Sequence, residues 1–201
     1  MNVPNTLTVL RIFATGVVIA LVCEGSPRGV TWALLIFMLA AFSDWLDGFL
    51  ARRSKQISSL GTLLDPIADK ILVLGLLTTF AALRLVPVWM VWLIAGRELF
   101  GTAARLYALR RHLVIAAAAE GKHKALSQMW AIFMVLIWLA GQHWVSDGAA
   151  EAFHARMHGV ITISLWIAVI LTLTSGLQFA WRNRHLLLRH PLAPMPAHNN
   201  E

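Results

Sequence analysis

Long apolar runs alternate with short polar connections along this chain, and the length of the runs is informative. With a window of about 20 residues, the helical length that crosses roughly 30 Å of hydrocarbon, six segments qualify: 7–23, 30–50, 63–83, 86–109, 125–145 and 157–181. Each is too long for a strand and too uniformly apolar for the one-faced helix of a soluble domain. The pattern predicts an all-α, polytopic membrane protein with six transmembrane helices, preceded by a short interfacial segment from Asn2 to Thr8. Because the connections are short and no internal repeat is visible, residues 1–189 read as a single membrane domain. The tail, 190–201, carries Pro191, Pro194 and Pro196 beside Asn199 and Asn200, and a disordered segment is expected there.

Composition supports the same class. Hydrophobic residues make up 58% of the 201 positions and charged residues 13%, with a mean hydropathy of +0.68. A soluble chain carries about 25% charged residues, so a free-standing soluble domain is disfavoured. The net charge of +7 would suggest nucleic acid in a soluble protein; here membrane-adjacent loops account for it, and no nucleic-acid partner is expected. Cys23 is the single cysteine, so no intramolecular disulfide forms. The first apolar run lacks a basic cluster before it, and Val22 occupies the place where a lipoprotein-type cleavage site needs a small residue, so a retained span is expected rather than a signal peptide.

The bases fall asymmetrically. Arg52, Arg53 and Lys55 follow the second span, Arg110, Arg111, Lys122 and Lys124 follow the fourth, and Arg182, Arg184 and Arg189 follow the sixth. The opposite connections hold Arg28, Arg84 and Arg156. The positive-inside rule makes the base-rich side cytoplasmic, which places both termini there.

Four of the ten acidic residues, Asp44, Asp47, Asp65 and Asp69, lie within or beside the second and third spans. An Asp at mid-membrane costs about 2.5–3.5 kcal/mol on insertion scales, so four of them call for a compensating ligand or water. Asp44, Asp47, Gly48 and Ala51 share one helical face, and Asp65 and Asp69 share another. The short basic turn between the spans makes the helices antiparallel neighbours, so the two carboxylate pairs can meet at the cytoplasmic end. Four repelling carboxylates suit divalent cations, and all-oxygen ligation favours Mg²⁺, Mn²⁺ or Ca²⁺. The plainer reading has Asp65-Pro66 as a helix N-cap with proline at the first helical position, and Lys70 neutralising Asp69.

Together these residues spell D-x2-D-G-x2-A-R-x8-G-x3-D-x3-D from Asp44 to Asp69. The string resembles the signature of the CDP-alcohol phosphotransferases, integral membrane enzymes of phospholipid synthesis. The chemistry suits each position. Gly48 and Gly61 let a nucleotide and its phosphates approach the helix backbones, and Arg52 can grip a phosphate with a bidentate fork or merely set topology. The resemblance implies that Asp44, Asp47, Asp65 and Asp69 hold two Mg²⁺ or Mn²⁺ ions, with Asp69 also acting as general base. It further implies that Ala51 joins the glycines, Arg52 and Asp44 in the CDP-donor site, that the protein is a homodimer in the bacterial inner membrane, and that the site opens to the cytoplasm.

The opening Asn2-Val3-Pro4-Asn5-Thr6-Leu7-Thr8-Val9-Leu10-Arg11, the run Leu64 to Lys70, Arg97-Glu98, and Gly121-Lys122-His123-Lys124 are similar to the phosphatidylglycerophosphate synthase branch of that family. This branch implies CDP-diacylglycerol as donor and glycerol 3-phosphate as acceptor, with phosphatidylglycerol phosphate and CMP as products. A dianionic acceptor needs fixed positive charge, and Arg97, Gly101 and Arg105 share a face that could supply it. For Arg97 the competing reading is an ion pair with Glu98 or an aspartate of the cluster; for Lys122 and Lys124 it is a topogenic loop; for Asn5 and Thr8, candidate donor contacts, it is capping of the first helix. His154 and His158 are expected in a solvated loop, and Trp32, Trp89, Trp92 and Trp144 in an interfacial belt.

Three alternatives differ in what they require. A cardiolipin synthase of the same family would take phosphatidylglycerol as acceptor and need fewer bases. A Mg²⁺-dependent polytopic prenyltransferase would carry its aspartates in two widely separated segments. A transporter would have no use for Gly48, Ala51, Arg52 and Gly61 at these spacings.

Overall fold

The computed structural model describes the backbone of residues 3–54, 59–110, 121–145 and 147–184, with side chains over 9–43, 70–104, 106, 123–145 and 148–184. Six helices make up the described residues, and no strand occurs among them: α1 Val3–Glu24, α2 Pro27–Ser54, α3 Ser59–Ala82, α4 Val88–Arg110, α5 Gly121–Gly141 and α6 Asp147–Arg182. The tail expected to be disordered lies outside the described residues.

Local chemistry explains the ends. Gly25 takes a φ of 69° and donates its N–H to the Leu21 carbonyl at 3.3 Å, a left-handed stop for α1 that glycine adopts without steric cost. Ser26 then accepts the Gly29 N–H on its hydroxyl at 3.0 Å, with Pro27 at the first position of α2, so cap and proline together start the next helix. At the end of α3, Leu85 N–H reaches the Phe80 carbonyl at 2.8 Å and Arg84 N–H reaches Ala81 at 3.0 Å. This is a Schellman closure, with Arg84 at φ 59° where glycine is commoner.

Four boundaries depart from the hydropathy reading. Residues 3–8 are continuous with α1 rather than a separate lead-in, because Pro4 fits a helix's first turn; Asn5 and Thr8 are therefore inside the helix and do not cap it. Asp65 and Pro66 lie within α3, which begins at Ser59, so Asp65 is not its N-cap. α5 takes in Gly121 to Lys124 as its first turn. α6 begins at Asp147, which places His154 and His158 on a helix and not in a loop. The Ala-rich stretch Gly148 to Ala152 is too polar to register as a span, yet its helix propensity extends α6 outward.

Contacts between helices close a ring in the order α1, α2, α5, α6, α4, α3, with α3 also touching α5 across the middle. The centre is filled by Val18, Ala33, Phe37, Leu72, Leu76, Phe80, Ile94, Ile132, Val135 and Leu136. At the α5–α6 hairpin a Cβ on Gly141 would overlap the Phe153 ring, so the close approach of the two helices depends on that glycine. Gln128 donates to the Thr172 hydroxyl at 2.8 Å between the same helices. Such interhelical bonds contribute about 0.6 kcal/mol each on average in a membrane protein.

The outside is as apolar as the inside. Phe13, Trp32, Leu39, Trp92, Leu177 and Trp181 are all exposed, far more apolar surface than a soluble monomer tolerates. His123–Gly141 and Gly148–Arg182 are each long and apolar enough to cross a membrane. The four tryptophans expected in a belt are all exposed, and Trp89 stacks edge-on against Trp166 at 5.5 Å.

Candidate functional site

The motif aspartates occupy two helices. Asp44 and Asp47 stand in the second half of α2, with Gly48, Ala51 and Arg52 following them, while Gly61, Asp65 and Asp69 stand in the first half of α3. Pro66 inside α3 supplies no N–H, which leaves the Thr62 carbonyl without its usual helical donor near the aspartates. The side-chain positions of Asn5, Thr8, Asp44, Asp47, Gly48, Ala51, Arg52, Gly61, Asp65, Asp69, Arg105 and Lys122 lie outside the described ones, as does the expected meeting of the two carboxylate pairs.

Immediately beyond Asp69 the side chains are described, and they assemble around Glu98. This carboxylate on α4 is 8% exposed and is met from three helices. Lys70 of α3 approaches Oε2 at 3.6 Å, Arg97 of α4 donates to Oε1 at 3.3 Å, and Lys124 of α5 pairs with Oε1. Lys70 and Arg97 are 19% and 15% exposed and Lys124 12%, so the whole group is removed from bulk solvent. A buried carboxylate left alone costs several kcal/mol, which explains why Glu98 sits where three cations converge.

The convergence follows from helix geometry. Consecutive residues on a helix point about 100° apart, so Glu98 faces α3 and α5 while the Arg97 stem runs against α6. There it crosses Gly176: a Cβ added to that glycine would stand 3.0 Å from Arg97 Cγ and 3.4 Å from Nε. Lys124 and Gln128 are one turn apart on α5, as are Thr172 and Gly176 on α6. The Gln128–Thr172 bond therefore pins the α5–α6 seam one turn from the cations.

Among the described residues, three cations meet one carboxylate in this largely buried group. Lys70 follows Asp69 directly, and neighbouring Cα atoms are about 3.8 Å apart, so this cationic group begins beside the last motif aspartate. Lys and Arg side chains gathered in this way are the groups that bind phosphate monoesters.

Of the candidate acceptor residues, Arg97 and Lys124 are brought together, and each also makes the ion pair that was the competing reading for Arg97. Lys70 pairs with Glu98, while its expected pairing with Asp69 lies outside the described side chains. Sequence reasoning missed the hub role of Glu98, although its place beside Arg97 in an apolar span was a signal. It gave Arg11 no role beyond the end of the opening motif, whereas the structure buries it in α1. His154 accepts a bond from Trp138 Nε1 at 3.1 Å on Nδ1, which ties α6 to α5 far from Glu98 in the chain.

A family model described as CDP-alcohol phosphatidyltransferase matches residues 1–174. Among similar proteins is a CDP-diacylglycerol–glycerol-3-phosphate 3-phosphatidyltransferase of Bacillus subtilis, 29% identical over 90% of this chain and 95% of its own. A protein of the same name from Sodalis glossinidius is 32% identical over 94% of this chain and 99% of its own. A CMP-forming cardiolipin synthase of Streptomyces coelicolor is 34% identical over 85% of this chain and 80% of its own.

Proposed function

The chain belongs to the CDP-alcohol phosphatidyltransferase family, and from that premise we propose that it transfers a phosphatidyl group from CDP-diacylglycerol to glycerol 3-phosphate. The observation that supports this choice of acceptor is the convergence of Lys70, Arg97 and Lys124, among the described residues, on Glu98, with Lys70 one residue from Asp69. Membership sets aside the prenyltransferase and transporter readings.

In the proposed reaction the acceptor hydroxyl oxygen attacks the lipid-side phosphorus of the donor. The new O–P bond forms as the P–O bond to CMP breaks, CMP leaves with that electron pair, and the hydroxyl proton passes to the Asp69 carboxylate. Asp44, Asp47, Asp65 and Asp69 offer only hard oxygen donors, a set that fits Mg²⁺ or Mn²⁺ and no soft metal. Two such ions, when bound, would offset the charge of the diphosphate. Gly48, Ala51 and Gly61 would let the cytidine and diphosphate lie against α2 and α3, with Arg52, Asn5 and Thr8 as further donor contacts. Arg97 and Lys124, together with Arg105 and Lys122, would hold the acceptor phosphate. The proposed frame is one membrane domain over 1–189 with six spans, working as a homodimer in the bacterial inner membrane, both termini and the site cytoplasmic.

The Streptomyces relative supports a second reading, cardiolipin synthesis with phosphatidylglycerol as acceptor. That acceptor carries one phosphate charge, as a diester, and has less use for the three described cations around Glu98. Purified protein with CDP-diacylglycerol and Mg²⁺ or Mn²⁺, assayed for CMP release with each acceptor, separates the two. Release with glycerol 3-phosphate is expected. Release only with phosphatidylglycerol selects the second reading, and none with any alcohol sinks both.

A further inference from the structure

Glu98 and Gly176 touch Arg97 from two sides, and nothing in the reaction as described uses either of them. The Glu98 carboxylate accepts from the guanidinium at 3.3 Å and pairs with Lys124 on the same oxygen, so one carboxylate oxygen sets the spacing of two candidate phosphate-binding groups. On the other side the Arg97 stem lies across the bare backbone of Gly176, where an added Cβ would approach Cγ to 3.0 Å. Gly176 stands beyond the segment that the family model matches, which ends at residue 174.

We infer that Glu98 and Gly176 are positioning residues that hold Arg97 and Lys124 as a two-headed clamp for the acceptor's phosphate. The inference rests on the proposed acceptor reading and deepens it. Lys and Arg side chains are long and lose considerable rotamer entropy when fixed; a clamp fixed before the ligand arrives has already met that cost. Glu98 does this from within α4, and Gly176 does it by leaving a groove on α6 into which the stem fits.

The sign of one substitution separates positioning from plain electrostatics. Glu98→Gln removes a negative charge, so if net charge alone governed the pocket, a dianion would bind more tightly. If Glu98 positions the cations, the same change frees them and the dianion binds more weakly. With the purified full chain, Mg²⁺ and CDP-diacylglycerol, Glu98→Gln is expected to raise KM for glycerol 3-phosphate about ten-fold. The KM for CDP-diacylglycerol should stay within about two-fold and kcat within about three-fold, a split that a merely destabilised protein would not show. Gly176→Ala, which retains every charge, should raise the same KM about three-fold by displacing the stem a few tenths of an ångström.

An acceptor KM that falls or stays level in Glu98→Gln overturns the clamp, and so does a level KM in Gly176→Ala if Glu98→Gln fails to fold. Failure of the acceptor reading shows separately, in the unsubstituted protein, as no CMP release with glycerol 3-phosphate. In that case calorimetric titration of inorganic phosphate into the same proteins decides. Weaker binding by the variants upholds the clamp; equal or absent binding in the unsubstituted protein and the variants overturns it.

Discussion

The step that belongs to a single residue is the proton transfer to Asp69, the proposed general base. Asp69→Asn is therefore expected to lower CMP release by about 10²–10⁴-fold, the usual contribution of a positioned base, while binding of CDP-diacylglycerol stays measurable by calorimetry. Near-normal turnover in that variant would remove Asp69 from the role. At this scale the aspartates were the clearest signal in the sequence, because four carboxylates at helical spacing in an apolar chain have few innocent uses, although their side chains lie outside the described ones. The sequence showed Glu98 poorly. A lone acid beside an arginine has an obvious local partner, and only the packing of α3 and α5 against α4 brings Lys70 and Lys124 to it.

The helices themselves were legible as apolar runs, and their ends were not. Hydropathy detects what must avoid water, whereas helix termini are set by caps, prolines and propensity, which act in polar sequence too. So α6 runs for 36 residues, about 54 Å at 1.5 Å per residue, well past the stretch 157–181 that its hydropathy marks. The extension brings Phe153 and His154 onto the helix, where Phe153 meets Gly141 and His154 accepts from Trp138. In a bilayer the packing of two helices gains little from the hydrophobic effect, so close fit carries the stability. Gly141→Val should then destabilise the α5–α6 hairpin by about 1–3 kcal/mol, the cost of overpacking, read as a lower Tm in detergent. Phe153→Leu in the same chain should recover part of that loss. If the double variant is no better than the sum of the singles, the two residues are not coupled in this way.

At the scale of the whole molecule, the closed ring of six helices leaves an apolar exterior with its charges at particular ends. The ends of α2 and α6 carry Arg52, Arg53, Arg182 and Arg184, and the Arg184 guanidinium lies 4.7 Å over the Trp181 ring, an arrangement suited to a membrane–water boundary. If every helix spans, the other ends of α1 and α2, around Gly25, face away from the cytoplasm. Cys23 reports on this directly: it is exposed, lies one residue before the end of α1, and is the single cysteine of the chain. A membrane-impermeant maleimide should label Cys23 in intact spheroplasts and fail to do so in sealed inside-out vesicles. Moving the thiol, with Cys23→Ser and Ser54→Cys together, should reverse the pattern, because Ser54 ends α2 in the base-rich connection. Labelling of both positions from the same side would mean that α2 does not cross, and with it the alternation of base-rich and base-poor connections would lose its topological meaning.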